Sequence, residues 1–214
     1  MNPVIRPYRL TDRSAVRQIA FETAFMGASA AVFFEGQEFL KDALTLYFTD
    51  HEPESIWVFE VDGVVAGYIL GARDEKKMDR VVWTKIIPGL CVDALGQGLL
   101  LRPRNMKLLG GLAASFLKGE FFMPSFSEDY PAVLHINLKA DRRGHGAGGA
   151  LIRTLVEAFT QAGVKGVHLG TMSSAGADFF QKNGFVLLFQ GQRSYMENFA
   201  GKAVPLYLLG RKLR

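Results

Sequence analysis

The residues most suggestive of chemistry are glycines that lie between a predicted strand and a predicted helix. The segment 138–150 reads LKADRRGHGAGGA. A strand that leads through glycines into a helix start presents unpaired backbone N–H groups. The helix dipole favours an anion there, and glycine leaves room for a bulky phosphate. The segment therefore predicts a phosphate-binding loop, with Arg143 as a cation at its rim.

The same glycines formally match a second ligand class. Gly144-x-Gly146-x-x-Gly149 has the spacing of the dinucleotide fingerprint of NAD-dependent oxidoreductases. That fingerprint belongs to a repeated βαβ architecture and expects an acidic residue about 20 positions further on, at a strand end. The corresponding region here is His168-Leu-Gly-Thr171, which contains no carboxylate. The context therefore argues against a dinucleotide enzyme.

The elements that must position this loop follow from apolar periodicity and turn residues. Helices are predicted after Thr11, over 37–48, after the glycine loop as far as Gly163, and over 175–182. The segment 75–129 carries two helical patterns interrupted by prolines, and it is predicted to be a helical insertion. Asp62-Gly63 predicts a tight hairpin turn. Strands are predicted at 5–10, 56–61, 64–70, 132–138, 167–171, 185–189 and 204–209.

Composition and charge exclude several classes of protein. The 214 residues are 49% hydrophobic, which suits a single ordered domain spanning 1–214. The net charge of +4 is scattered along the chain, so no nucleic-acid partner is expected. Cys91 is the only cysteine, which excludes an internal disulfide framework and a cysteine-rich zinc site, and it is predicted to be a buried thiol. No apolar stretch approaches the roughly 20 residues that span a bilayer, and no secretory signal is visible, so a cytoplasmic location without membrane attachment is expected.

Several motifs resemble one enzyme superfamily. Arg143-x-x-Gly146-x-Gly148 after a strand resembles the acetyl-CoA pyrophosphate motif of the GNAT N-acetyltransferases. Ile5-Arg-Pro-Tyr-Arg-x-x-Asp12, the Asp62-Gly63 hairpin and Phe179-Phe-Gln-Lys-Asn-Gly184-Phe185 extend the resemblance over nearly the whole chain except the insertion. Within the superfamily, the inserted helices and His135-Ile-Asn-Leu138 resemble bacterial proteins related to the acetyltransferase-like domain of O-GlcNAc hydrolases.

The resemblance implies an α/β (α+β) fold: a mixed, mostly antiparallel sheet of about seven strands flanked by helices, with the insertion between strands 3 and 4. The strands 132–138 and 167–171 should separate, and the pantetheine arm of acetyl-CoA should pair with the backbone of the first of them. No metal is implied. The residues expected to bind acetyl-CoA or coenzyme A are Ile136, Asn137, Leu138, Arg143, Gly144, His145, Gly146, Ala147, Gly148, Ser173 and Phe180.

The resemblance also implies direct transfer of the acetyl group to a small-molecule or peptide amine, in a monomer or homodimer. His135 is a candidate base, because a histidine pKa of about 6.5 suits neutral pH. Ser173 and Tyr130 are further catalytic candidates. Phe180 stands where family members often carry a tyrosine that protonates the leaving thiolate. Because phenylalanine cannot donate a proton, an acyl-CoA-binding sensor or scaffold without turnover stays open as the alternative.

Overall fold

One seven-stranded sheet organises residues 2–213, which are the residues that the computed structural model describes. The strand order is β1-β2-β3-β4-β5-β7-β6, and every neighbouring pair is antiparallel except β4 and β5. This confirms the predicted fold class. The strands are β1 Pro3–Pro7, β2 Ile56–Val61, β3 Val64–Ala72, β4 Ala132–Leu138, β5 Gly166–Thr171, β6 Val186–Arg193 and β7 Val204–Lys212.

Helices cover both faces of the sheet. The helices are α1 Arg13–Thr23, α2 Gln37–His51, α3 Glu75–Val81, α4 Ile87–Gly96, α5 Pro103–Leu117, α6 Ala147–Gln161, α7 Ser174–Lys182 and α8 Glu197–Ala200. On one face, α6 and α7 contribute Leu151, Phe159 and Phe180 to a buried cluster. On the other face, α1 and α2 contribute Ile19 and Phe48 to a second cluster.

Three of the predicted strands end too early, β6 by four residues, and three other sequence predictions also differ from the structure. The first strand ends at Pro7 instead of continuing to residue 10, because Asp12 draws the chain into a 3-10 turn by accepting the N–H of Arg9 at 2.8 Å. The insertion holds three helices, and a π turn at Val82–Ile86 joins α3 to α4. Cys91 is exposed, so the prediction of a buried thiol was wrong. It lies on the outer side of α4, whereas Leu90 and Ala94 are buried.

The β2–β3 turn is as predicted. Asp62 and Gly63 have φ angles of 50° and 81°, the left-handed conformation that a two-residue hairpin turn of this type requires at both positions. The glycine adopts this conformation without a steric cost, and asparagine or aspartate tolerates it better than other residues. Local sequence is therefore sufficient to define this hairpin.

The insertion is attached to the rest of the fold at two distant points of α5. Asn105 is buried near the helix start: its amide accepts the N–H of Glu35 at 2.7 Å and donates to the Glu35 carbonyl at 2.7 Å. Near the helix end, the hydroxyl of Ser115 lies 3.0 Å from that of Ser194, in the connection between β6 and β7. The insertion therefore joins the α1–α2 loop to the β6–β7 connection.

A partly buried ion pair attaches the start of the insertion to the sheet. In His168 on β5, Nδ1 lies 2.8 Å from the carbonyl of Tyr130, and Nε2 lies 3.2 Å from the Glu75 carboxylate. Both ring nitrogens face acceptors, which suits the doubly protonated imidazolium. Burial alone would lower the pKa of His168, but the hydrogen bond and charge of Glu75 and the backbone acceptors raise it overall.

The close contact between α6 and α7 depends on Gly148. A Cβ at this position would lie 2.9 Å from the ring of Phe179, closer than real side chains allow. Gly148 lies in the first turn of α6 and is buried. The absence of a side chain here is therefore required by helix packing, whatever ligand lies nearby.

Glu75→Gln should weaken the fold most where His168 is protonated. A histidine with a raised folded pKa contributes stability below its unfolded value of 6.5, and that contribution is lost as pH rises through the folded pKa. The expected loss is about 1–2 kcal/mol at pH 6 and less at pH 9. Urea denaturation at both pH values measures it, with the exposed Glu157→Gln as control. An equal loss at both pH values would contradict the assignment.

Gly148→Ala should destabilise the protein by about 1–3 kcal/mol, because its methyl group would overpack the ring of Phe179. Gly110→Ala is the matched control, since Gly110 also lies inside a helix but a Cβ there meets no atom within 4 Å. The control should be neutral or slightly stabilising. Thermal unfolding compares the stabilities of the two variants. Adding Phe179→Leu to Gly148→Ala should restore part of the lost stability. Equal stabilities would refute the packing argument.

Candidate functional site

The gap between β4 and β5 is the main feature of the candidate site. The two strands pair in parallel only at Ala132 with Val167 and at Val133 with His168. Beyond these positions β4 continues to pair with β3, from Leu134 to Leu138. Among the described residues, no strand pairs with this part of β4 on the β5 side. The separation that the resemblance implied is therefore present, and it leaves a strand edge open to an extended ligand.

The glycine loop lies at the open end of this gap. Gly144 and Gly146 have φ angles of 82° and 81°, and a Cβ at either position would meet no atom within 4 Å. Gly146 is the N-cap of α6 and provides no side-chain cap for the first turn of the helix. The first N–H groups of α6 are therefore available to an anion in open space. His145 between the two glycines is exposed, and Ala147 is buried beneath them.

Arg143 folds back across the end of β4. Its Nε donates to the carbonyl of Leu138 at 3.1 Å, and its Nη2 donates to the carbonyl of Gly27 at 3.0 Å. A Cβ on Gly27 would lie 2.6 Å from this guanidinium, so the α1–α2 loop approaches it closely. The side chain thus joins the loop before α2 to the rim of the gap. Its predicted contact with a pyrophosphate stays a prediction.

The side chains of β4 alternate between the two faces of the sheet. Ile136 and Leu138 pack against the cluster beneath α6. His135 and Asn137 face the α1–α2 side, where the His135 ring meets Phe48 edge-on at a centroid distance of 5.5 Å. The amide of Asn137 donates to the Tyr68 hydroxyl at 2.7 Å. The predicted binding segment of β4 thus borders the gap, and its two polar side chains, His135 and Asn137, lie on the α1–α2 face.

His135 combines solvent access with a protein-rich environment. Its side chain is exposed to solvent, yet the surrounding protein atoms lower its pKa, and the charge of His168 lowers it further. These two observations are compatible if the ring lies in a concave part of the surface. The lowered pKa keeps the imidazole neutral at neutral pH, which is the form that can accept a proton.

The other predicted site residues are spread over the gap and its surroundings. Ser173 is the N-cap of α7, and its hydroxyl accepts the N–H of Gly176 at 3.3 Å. Phe180 is 6% exposed and lies in the core, with Phe179 and Phe185 at centroid distances of 5.2 and 5.6 Å. Tyr130 precedes the closed end of the β4–β5 pair. The structure therefore does not bring Tyr130 to the open end with Ser173.

The position of Tyr130 has a packing reason. A Cβ added to Gly166 would lie 2.9 Å from the Tyr130 ring, and a Cβ added to Gly210 would lie 2.8 Å from it. The residue is 8% exposed, and its carbonyl accepts from His168. The ring thus fills a space between β5 and β7 that only glycines leave free.

Tyr195, which the sequence reasoning did not single out, lies near the open end of β5. Its hydroxyl donates to the sulfur of Met172 at 3.7 Å, directly after the last residue of β5. Both residues border a third apolar cluster that includes Phe21 and Phe33 from the α1–α2 region. No local motif marks Tyr195, because its position depends on contacts with the insertion.

Two absences can be stated for residues 2–213. No group of three or more histidine, cysteine or acidic side chains is arranged to hold a metal ion. No helix in that range is long and apolar enough to cross a membrane.

Comparison with solved structures shows the same fold. SsHAT is 24% identical to this chain, each chain is covered completely, and the TM-score is 0.70. The protein yncA of Salmonella typhimurium, solved with its cofactor acetyl-CoA, is 14% identical with a TM-score of 0.59; 100% of this chain and 95% of that one are covered. A polyamine N-acetyltransferase of Drosophila melanogaster, which forms N-acetylagmatine, is 12% identical with a TM-score of 0.59; 99% and 100% are covered.

Comparison with curated proteins found no significant match. The family model for the acetyltransferase (GNAT) family matches residues 26–185, which include the gap, the glycine loop and the whole insertion. This match covers more than half of the sequence and agrees with the strand order and the separated β4–β5 pair. The chain therefore belongs to the acetyltransferase (GNAT) family.

Proposed function

We propose that this protein transfers an acetyl group from acetyl-CoA directly to the amine of a small molecule or peptide, with both substrates bound together. The observation that carries the proposal is the open edge of β4, which runs from Leu134 to the glycine loop at the start of α6. An extended arm ending in a charged pyrophosphate fits this combination. The match of the acetyltransferase family model supports it.

The residues along the open edge of β4 and in the glycine loop fit coenzyme A. Ile136 and Leu138 offer backbone groups along the open edge for an amide-containing arm. The left-handed glycines Gly144 and Gly146 leave space above the first turn of α6 for phosphates. Hydrogen bonds to a charged partner contribute about 1.5–3 kcal/mol each, so a few N–H groups can hold a pyrophosphate without a metal. When bound, acetyl-CoA supplies the acetyl group as a thioester.

His135 is the proposed base for the acceptor amine. Its neutral imidazole is exposed on the α1–α2 face of β4, next to the gap. The amide of Asn137 lies on the same face but donates to Tyr68, so it orients groups without accepting a proton. Alignment of the two substrates provides much of the remaining rate, because oriented reactants reach effective molarities of about 10⁵–10⁸ M.

A second candidate function is a CoA-binding sensor without turnover. The observation that favours it is the buried phenyl ring of Phe180, which offers no proton at the position where related enzymes often carry a tyrosine. A dinucleotide-dependent oxidoreductase is disfavoured by the sheet, in which β4 and β5 form the one parallel pair among the described strands. Binding of CoA but not of NAD or NADP would separate these classes.

Incubation with acetyl-CoA and a panel of amines should release free CoA thiol with at least one acceptor. The panel includes lysine peptides, peptides with a free α-amine, and polyamines. Because Cys91 is exposed and reacts with thiol reagents, the assay uses Cys91→Ser and a blank without amine. Tight CoA binding without thiol release from any acceptor would favour the sensor and count against the enzyme.

Gly146→Val should weaken CoA binding by at least about tenfold, since a loss of about 1.4 kcal/mol is enough for that. The branched side chain would occupy the open space above α6 and resist the positive φ angle. Gly63→Val is a matched control: Gly63 has the same φ of 81° and equally open surroundings, but lies in the β2–β3 turn.

Both valine variants should lose similar stability, and only Gly146→Val should lose affinity in calorimetric titration with CoA. Circular dichroism and thermal melting establish that both are folded. Wild-type affinity in folded Gly146→Val would remove the glycine loop from the binding site and with it most of the proposal.

A further inference from the structure

The hydroxyl of Tyr195 has an unusually poor hydrogen-bond partner. It donates to the thioether sulfur of Met172 at 3.7 Å, and a thioether is a weak acceptor. No other side-chain hydrogen bond of this hydroxyl is present among residues 2–213. Burial raises the pKa of Tyr195, and the nearby Arg193 lowers it in part. The phenol is thus protonated at neutral pH, and its weak bond to the Met172 sulfur can be exchanged for a stronger one to a charged acceptor such as a thiolate.

The hydroxyl lies at the open end of the gap. Met172 follows Thr171, the last residue of β5. Starting from the paired positions Val133 and His168, steps of two residues along both strands place Met172 level with Asn137 across the gap. The hydroxyl therefore lies on the same face of the sheet as His135 and Asn137, on the β5 side of the gap, across from the strand edge proposed to hold the thioester arm.

The insertion holds Tyr195 in this position. A Cβ on Gly111 of α5 would lie 2.8 Å from the backbone oxygen of Tyr195, so the two backbones are in close contact. The ring of Tyr195 stacks on Phe121 at a centroid distance of 6.0 Å. The preceding N–H, of Ser194, donates to the Glu120 carboxylate at 2.7 Å. Three separate contacts from the insertion thus hold Tyr195 and the residue before it in place.

We infer that the Tyr195 hydroxyl is a catalytic residue that hydrogen-bonds the sulfur of the thioester and protonates it as it leaves, a role that Phe180 cannot fill. This inference rests on the proposed function.

In the proposed step the amine nitrogen bonds to the acyl carbon, and the C–S bond breaks with its electron pair on sulfur. The Tyr195 proton passes to that sulfur. The new amide nitrogen loses its extra proton to His135 or water, and solvent exchange restores the phenol. The products are an amide and a thiol, and no oxidant or reductant is needed.

A binding experiment tests the hydrogen bond without requiring turnover. Calorimetry compares CoA with desulfo-CoA, which lacks the sulfur. The wild type should bind CoA about twofold to threefold more tightly than desulfo-CoA, as expected for one weak hydrogen bond to sulfur. Tyr195→Phe should bind both equally. Tyr8→Phe is the control, because the buried Tyr8 hydroxyl has no hydrogen-bond partner within residues 2–213 and Tyr8 follows β1, three strands from β4. A preference unchanged by Tyr195→Phe, or absent from the wild type, would overturn the inference.

A second pair of variants tests the part played by the insertion. Gly111→Ala should displace the Tyr195 backbone and reduce the preference for CoA over desulfo-CoA. The neighbouring Gly110→Ala, whose methyl group meets no atom within 4 Å, should keep it. Equal preferences in the two variants would show that α5 does not hold the hydroxyl in place.

Kinetics separate this inference from the proposed function. With an active acceptor, Tyr195→Phe should lower kcat by about 100-fold, leave the KM of the acceptor amine unchanged and remove the basic limb of the kcat–pH profile. Failure of the wild type to bind CoA would overturn both proposals. CoA binding and thiol release that are the same in wild type and Tyr195→Phe would overturn the role of Tyr195 alone and leave the acetyltransferase proposal standing.

Discussion

The whole candidate site depends on where β4 and β5 stop pairing. Two pairs of residues hold the strands together, and the strands separate beyond Val133 and His168. Two contacts fix the closed end. A Cβ on Gly166 would lie 2.5 Å from the Asp129 carbonyl, so the two backbones are in close contact. Both ring nitrogens of His168 lie within hydrogen-bond distance of an acceptor. Because this end cannot slide, the direction in which the strands separate is fixed as well.

Beyond the paired positions, the two faces of β4 differ in the side chains that they carry. Successive side chains of a strand point to opposite faces. Ile136 and Leu138 therefore complete the core beneath α6, while His135 and Asn137 face the α1–α2 side. The backbone of this segment pairs with β3 on one side and, among the described strands, with none on the β5 side. Residues 134–138 thus contribute to the core, to an open strand edge and to a polar surface.

Features with a local physical cause could be predicted from the sequence. The Asp62-Gly63 turn and the glycine loop before α6 follow from φ angles that glycine tolerates, and the strand 132–138 follows from its composition. The fold-back of Arg143 onto Gly27 and the place of Tyr195 beside Met172 could not be predicted, since each joins segments far apart in sequence. The exposure of Cys91 is similar: only tertiary packing decides which side of an apolar helix faces outward.

Helix α5 also acts as a spacer between the α1–α2 loop and the β6–β7 connection. Its two attachment points, Asn105 and Ser115, are ten positions apart, which corresponds to about 15 Å along a helix at about 1.5 Å per residue. Each residue also turns the helix by about 100°, so adding or deleting one would swing one attachment away from its partner. The separation of the α1–α2 loop from the β6–β7 connection is therefore set by a count of residues in α5. Only changes of nearly whole turns would keep both attachments, so this separation can change only in coarse steps.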